Sequence, residues 1–353
     1  MAYGPPSGAH EECDGGGLDS WWARLAACYC AVLYVDVAWG VAVLLLGLWA
    51  REAYLSAMLL APALWLMARP VPDPFNAPWW VPSAAAAVTR LFCAYFPIRV
   101  VFQDTRAFEG RRGDVKMGCP GGGSGPLLVV LEPHSVMPVA SMPWTAFNTY
   151  EWPQGWPSSL RFLTSSAIMK APLSRHLFGW FGATDAGFSN ASTLLARGDS
   201  LVVTPGGARE VMHMRRGRRN VLLASRRGFV RLALRHRAAL VPAFAFGQDE
   251  VYHFVGPQLC GWSPWVAGLY SAWARHLGFV PVAFWGRKGT PLPLRRPMTV
   301  VVGTPIPPPD DPDDESPAAL DAHHARFVTA LVALFNRYKA EVQDYEADRL
   351  HVI

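Results

Sequence analysis

Polar and apolar residues along this chain fall into two regimes. Residues 1–20 are small, polar and glycine-rich, with Gly15–Gly17 in a row, which predicts an unstructured tail. From Leu25 to Trp49 nearly every residue is apolar, a run long enough for a hydrocarbon core that needs about 20 residues. Asp36 interrupts it, and a central carboxylate costs roughly 2.5–3.5 kcal/mol there. Arg51-Glu52 end the run, and Ala53–Ala68 forms a second, shorter stretch containing Pro62. Two such segments around a brief polar break predict a membrane hairpin over residues 21–69, spanning or re-entrant. The competing reading is a pair of buried core helices.

After the connector Arg69–Pro82, whose Trp79-Trp80 pair suits the headgroup level, the pattern changes. A helix is expected over Ala84–Phe96, and strands over Ile98–Gln103, Ser200–Thr204, Ala239–Phe246 and Thr299–Gly303. A further strand leads into Glu132. Helices are expected over Ala171–Phe181, Ser189–Arg197 and Ser225–His236. A closing helix near Ala318–Gln343 carries a core stripe of Phe327, Leu331, Leu334 and Tyr338. Strands alternating with helices predict an α/β domain over residues 70–353, a mixed sheet flanked by helices. Arg111–Pro126 reads as a flexible glycine-rich insertion, because it lacks the Gly-Lys-Ser/Thr ending of a phosphate loop.

Composition sharpens the membrane reading. Hydrophobic residues make up 51% and charged ones 17%, with 15 tryptophans. An average soluble protein carries roughly 25% charged residues. The net charge of +5 suits an anionic surface or an anionic cofactor. The cysteines Cys13, Cys28, Cys30, Cys93, Cys119 and Cys260 form no metal-type or redox pair and read as reduced structural thiols. No basic n-region of a secretory signal opens the sequence.

The chemistry gathers in two stretches. In Leu127–Val139, LLVVLEPHSVMPV, a buried strand delivers His134 to a turn fixed by Pro133. An imidazole so held, with a pKa near neutrality, is the obvious general base. Glu132 is expected to point away from His134 across the strand end, and Ser135 is at best a positioning group. In the second stretch a strand ends in Pro205-Gly206-Gly207, followed by Glu210. The two glycines allow close backbone approach, and their N–H groups are candidate oxyanion donors. Glu210 and His134 each follow a strand, so they can meet at one sheet edge, where the carboxylate would orient the imidazole. The plain alternative for Glu210 is a surface pair with an arginine.

An arginine cluster follows, including Arg226, Arg227, Arg231 and Arg235. It reads as a solvated amphipathic face, or as a seat for lipid headgroups or coenzyme A phosphates. A nucleic-acid partner fits poorly beside a membrane hairpin. No G-x-S-x-G elbow and no H-E-x-x-H is present, and no metal site is expected. His323-His324 are expected to be solvated.

Glu132-Pro133-His134-Ser135 resembles the EPHS motif of the type 2 diacylglycerol acyltransferase family, the plant and algal form of HPHG. Ser165 through Ser192, Pro205-Gly206-Gly207 with Glu210, and Arg226-Arg227-Gly228-Phe229-Val230-Arg231 resemble its next blocks, in order. Phe246-Gly247-Gln248, Gly286-Arg287 and Gly303-Thr304-Pro305-Ile306 resemble later ones. The chain departs from the family in its glycine-rich insertion and in a leucine-valine run before His134. The resemblance implies transfer of an acyl group from acyl-CoA, a co-substrate, to diacylglycerol, without a cofactor. It implies His134 and Glu210 as catalytic, and Glu132, Pro133, Ser135, Gly206 and Gly207 as active-site motif. Arg226, Arg227 and Arg231 would hold acyl-CoA or headgroups. It implies a place at the endoplasmic reticulum membrane or lipid droplet, facing the cytosol, and leaves room for a homo-oligomer. Monoacylglycerol, long-chain alcohols and sterols are alternative acceptors, and a non-catalytic lipid-droplet protein is the alternative of another class.

Overall fold

The strand that carries His134 is apolar on both sides, so it demands cover on both sides. Leu127–Glu132 is buried along its whole length, as is Ala239–Phe246, the pattern of strands enclosed between helical layers. The computed structural model describes residues 2–3, 61–62, 64–73, 78–109, 125–145, 152–157, 160–215, 217–255, 265, 268, 272, 280, 282–290, 292–309, 311, 314–342 and 345–353. The first elements are β1 (Ala2–Tyr3), α1 (Trp80–Tyr95), β2 (Ile98–Phe102), β3 (Leu127–Glu132), β4 (Leu160–Thr164), α2 (Ser166–Lys170), α3 (Ser174–Trp180), β5 (Ala183–Asp185) and α4 (Phe188–Ala196). There follow β6 (Ser200–Val203), β7 (Arg219–Val221), α5 (Gly228–Arg235), β8 (Ala239–Phe246), β9 (His253–Val255), β10 (Ala283–Trp285), β11 (Met298–Val302), α6 (Pro317–Tyr338) and β12 (Leu350–Val352).

Eight strands form one mixed sheet in the order β1-β2-β11-β8-β3-β6-β4-β5. Side chains alternate across it. Leu127, Val129 and Leu131 pack with Ile98, Val100, Phe102, Phe92 of α1 and Phe96 just after it. Leu128 and Val130 face the other way, toward Phe244 and the Phe327, Leu331 and Leu334 stripe of α6. The expected sheet flanked by helices is therefore present. β3 lies between β8 and β6, and all three run parallel. Their C-terminal ends leave the sheet on one edge, where sites gather in such folds.

Several elements differ from expectation. The helix expected over Ala171–Phe181 begins only at Ser174, as α3, because Pro172 lacks an N–H and restricts Ala171, and the unexpected short helix α2 precedes it. Strands β4 and β5, too short to announce themselves, extend the sheet beyond β6. Ala2–Tyr3, expected in an unstructured tail, pairs antiparallel with β2. At the other terminus β12 pairs parallel with β7. The first hairpin segment, Leu25–Trp49, and the core of the glycine-rich insertion lie outside the described residues. Among the described residues no helix is long and apolar enough to cross a membrane. The end of the second segment is helical, with Leu64 63% and Trp65 58% exposed.

Candidate active site

Three parallel strand ends converge here. β3 delivers His134, β6 delivers the loop through Gly206 to Glu210, and β8 delivers Gln248. Glu210 is fully buried. Its Oε1 accepts the backbone N–H of His134 at 2.6 Å and that of Ser135 at 3.4 Å, and its Oε2 accepts the N–H of Leu222 at 3.0 Å. Two carboxylate oxygens taking backbone donors lock the His134 turn to the β7 segment.

The ring is held by something else. Nδ1 of the partly exposed His134 lies 2.8 Å from the Ser135 carbonyl oxygen. A carbonyl only accepts, so this contact assigns the proton to Nδ1 and leaves the lone pair on Nε2. Ser135 achieves this with φ of 57°, a left-handed conformation that costs a non-glycine residue of order 1–3 kcal/mol. Its Oγ donates to the Gln248 carbonyl at 3.3 Å. The expectation of a carboxylate on the imidazole is thus corrected: Glu210 holds the backbone, and Ser135 holds the ring. Burial pulls the His134 pKa below its ordinary value, opposed by the Ser135 bond and the charge of Glu210.

Glu132 does not point away from this centre. It is fully buried, and burial together with the charge of Glu210 pushes its pKa well up, opposed by Gly206 and Arg226. Neither of its oxygens makes a hydrogen bond of ordinary geometry among the described residues. The cluster therefore brings Glu132, Glu210 and the Arg226 guanidinium into one buried space, where burial favours the neutral form of Glu132. The glycines of the β6 loop are explained by the same packing. A Cβ on Gly206 would sit 2.4 Å from Glu210 Oε2, and Gly207 has φ of +55°. The Gly207 N–H already donates to Thr204 O at 3.0 Å, so it is not the oxyanion donor expected.

The arginines divide. Arg226 reaches inward, donating to Gly206 O at 3.3 Å. Arg227 instead pairs with Asp321 of α6 at 2.7 Å and donates to Ala224 O, which ties the start of α5 to α6. Arg231 is exposed on α5. His323 and His324 are buried where α6 meets the core, not solvated as expected; the ring of His324 lies 6.0 Å from that of Phe229.

Sequence reasoning gave Gln248 no role. Its side chain is fully buried. Oε1 accepts the Ala140 N–H at 2.7 Å, and Nε2 donates to the carbonyl oxygen of Pro133. It closes the far side of the His134 turn. The signal was present: Gly247, with φ of 88°, ends an all-apolar strand and turns Gln248 inward. Beside the turn lies a cavity of about 380 Å³, walled in part by Pro133, Ser135, Met214, Tyr252 and Phe254. His134 flanks it without lining it.

Comparison with known proteins shows what the whole chain is similar to. A family model described as diacylglycerol acyltransferase matches residues 77–352. Diacylglycerol O-acyltransferase 2 of Bos taurus is 30% identical over 75% of this chain and 71% of its own length. 2-Acylglycerol O-acyltransferase 3 of Homo sapiens is 32% identical over 49% of this chain and 52% of its own. Acyl-CoA wax alcohol acyltransferase 2 of Mus musculus is 29% identical over 64% of this chain and 69% of its own.

Proposed function

The chain belongs to the diacylglycerol acyltransferase family and is a diacylglycerol O-acyltransferase; we propose that His134 is the general base of its reaction. One observation carries this reading: the Nδ1 contact to the Ser135 carbonyl, which leaves Nε2 of a partly exposed imidazole unprotonated. Nε2 takes the acceptor hydroxyl proton as the oxygen attacks the thioester carbonyl of acyl-CoA. The tetrahedral intermediate expels the coenzyme A thiolate, which recovers the proton from the imidazolium. An ester and a free thiol result, and no covalent enzyme intermediate is needed. Glu210 stabilises the imidazolium through space and holds the turn that presents it. Glu132, Pro133, Ser135, Gly206 and Gly207 shape that turn and the loop beneath it. No resident cofactor takes part.

The acceptor lives in a bilayer, and the chain carries a face for one. Leu64, Trp65, Met67, Trp79 and Trp80 are exposed large apolar residues. Arg69 stacks over the Trp65 ring at 4.7 Å, the arrangement of an aromatic belt with a basic rim. With the apolar run of residues 21–69 this supports a membrane-held enzyme at the endoplasmic reticulum or lipid-droplet surface, its 70–353 domain in the cytosol. The test is expression in cells lacking triacylglycerol synthesis, with lipid profiling. Restored triacylglycerol supports the reading. Wax esters or diacylglycerol alone would reassign the acceptor, and no new neutral lipid would leave only a lipid-droplet protein.

A further inference from the structure

Of the arginines that the sequence offered for the thioester's phosphates, Arg226 and Arg227 are engaged elsewhere and Arg231 is exposed on α5, and the structure places a different set beside the site. The cavity that touches Pro133 and Ser135 is also walled by Arg215, Arg218, Arg219 and Arg296, against Asp249 and Glu250. Arg219 pairs with both of those carboxylates. A second cavity of about 310 Å³ is walled by Tyr95, Arg287, Leu294, Arg295 and Arg296, with no acidic residue. The two share Leu294 and Arg296, so one cationic wall continues from the His134 turn outward.

This wall is built on a fixed support. The Arg287 N–H donates to Leu292 O at 2.7 Å, and the Gly286 N–H donates to Thr290 O at 2.7 Å. A Cβ on Gly286 would lie 1.8 Å from Leu292 O, so only glycine closes this loop. Tyr95 Oη donates to Pro293 O at 2.6 Å, and the Leu294 N–H donates to Val251 O at 2.8 Å. Arg287 and Arg296 are exposed, and among the described residues neither is held by a salt bridge. Guanidinium groups on a braced loop suit phosphate, which they grip by paired hydrogen bonds.

We infer that Arg287 and Arg296 bind the phosphates at the nucleotide end of the acyl thioester, whose arm then follows the shared wall toward His134. The inference rests on the acyltransferase reading above. A lipid headgroup offers the same phosphate chemistry, but its place is elsewhere on the molecule. Trp79-Trp80 open α1 and Tyr95 closes it, which separates the tryptophans from the arginines by roughly 20 Å at about 1.5 Å per residue.

The experiment uses the full chain in detergent, with Arg287→Gln and Arg296→Gln made singly and together. KM and kcat are measured with palmitoyl-CoA and with palmitoyl-pantetheine, which lacks the nucleotide and its phosphates. Binding of coenzyme A itself is measured by titration calorimetry. Each variant is expected to weaken coenzyme A binding and raise KM for palmitoyl-CoA by roughly tenfold, as loss of one charge-assisted contact does. Little change in kcat and no change with palmitoyl-pantetheine are expected. An unchanged KM, or an equal penalty with both substrates, overturns the inference and leaves the activity standing. Variants that keep coenzyme A affinity but lose flotation on vesicles containing anionic phospholipid also overturn it, in favour of a headgroup site. A parent chain that binds coenzyme A through these arginines yet forms no triacylglycerol would sink the activity and leave the nucleotide site.

Discussion

Two charged clusters, one half-buried and one fully buried, lie at the C-terminal edge of the sheet, and they are built in opposite ways. Around Arg219 the polar groups are paired. Its guanidinium bonds Asp249, Glu250 at 3.0 Å and Asp348 at 2.7 Å, and it stacks 4.0 Å above Tyr345. The Tyr345 hydroxyl in turn donates to Asp249 and accepts from Gly247. Around Glu210 the pairing does not close. Glu132 brings a second carboxyl into the same dry space, Nε of Arg226 and both Glu132 oxygens make no hydrogen bond of ordinary geometry among the described residues, and Ser135 is left-handed. A saturated cluster fastens the chain terminus. A cluster with unspent polarity and local strain is what a reacting centre retains.

The largest expected effect tests that division directly. His134→Ala should lower turnover about 10²–10⁴-fold, the range for loss of a general base. Its melting temperature should stay near that of the parent, because the imbalance serves chemistry. Near-parent turnover in purified mutant enzyme removes His134 from the mechanism. Arg219→Gln should do the reverse. The group is half-buried and holds three carboxylates, and removing one partner of such charged hydrogen bonds costs about 1–3 kcal/mol, so chemical denaturation should shift while kcat of the folded fraction holds. A variant that stays stable but turns over slowly would erase the contrast between the clusters. Gly206→Ala comes third. Its methyl would crowd Glu210 Oε2, and overpacking of this kind costs about 1–3 kcal/mol. Activity should fall further than at Gly207→Ala, where the space is open and only backbone strain is added.

What the sequence disclosed follows from the range of the forces involved. Periodicity gave α1, β3, β6, β8 and α6, because long apolar patterns report burial. It also brought His134 and Glu210 to one edge, since their strands are adjacent and parallel. The short strands β4, β5, β7 and β12 were not legible, because pairing partners far along the chain make them strands. The role of Glu210 was misread for a related reason. Spacing can bring a carboxylate near a histidine but cannot say whether it meets the ring or the backbone. That choice is made by the left-handed Ser135, which turns its own carbonyl onto Nδ1. The arginines failed similarly: an amphipathic helix says which face is polar, not that Arg227 meets Asp321.

The smallest expected effect is the most discriminating, because it asks what the extra carboxyl is for. Burial and the Glu210 charge hold the Glu132 pKa well above the usual 4.5. Below that usual value both folded and unfolded chains carry the proton. Between it and the raised value only the folded chain does, so stability declines as pH rises through this window. Glu132→Gln mimics the protonated acid and removes the decline. Its melting temperature should match or exceed the parent's at alkaline pH, with a flatter profile, and kcat should change by less than about tenfold, since no proton moves at this position. His134 shifts the opposite way. Burial lowers its pKa beneath the ordinary 6.5, so kcat/KM should hold as pH falls past 6.5 and drop only below it, in parent and Glu132→Gln alike. If Glu132→Gln abolishes turnover as His134→Ala does, or moves the acidic limb of that profile, the Glu132 proton takes part in the reaction. The base would then be a carboxyl–imidazole pair rather than a single histidine.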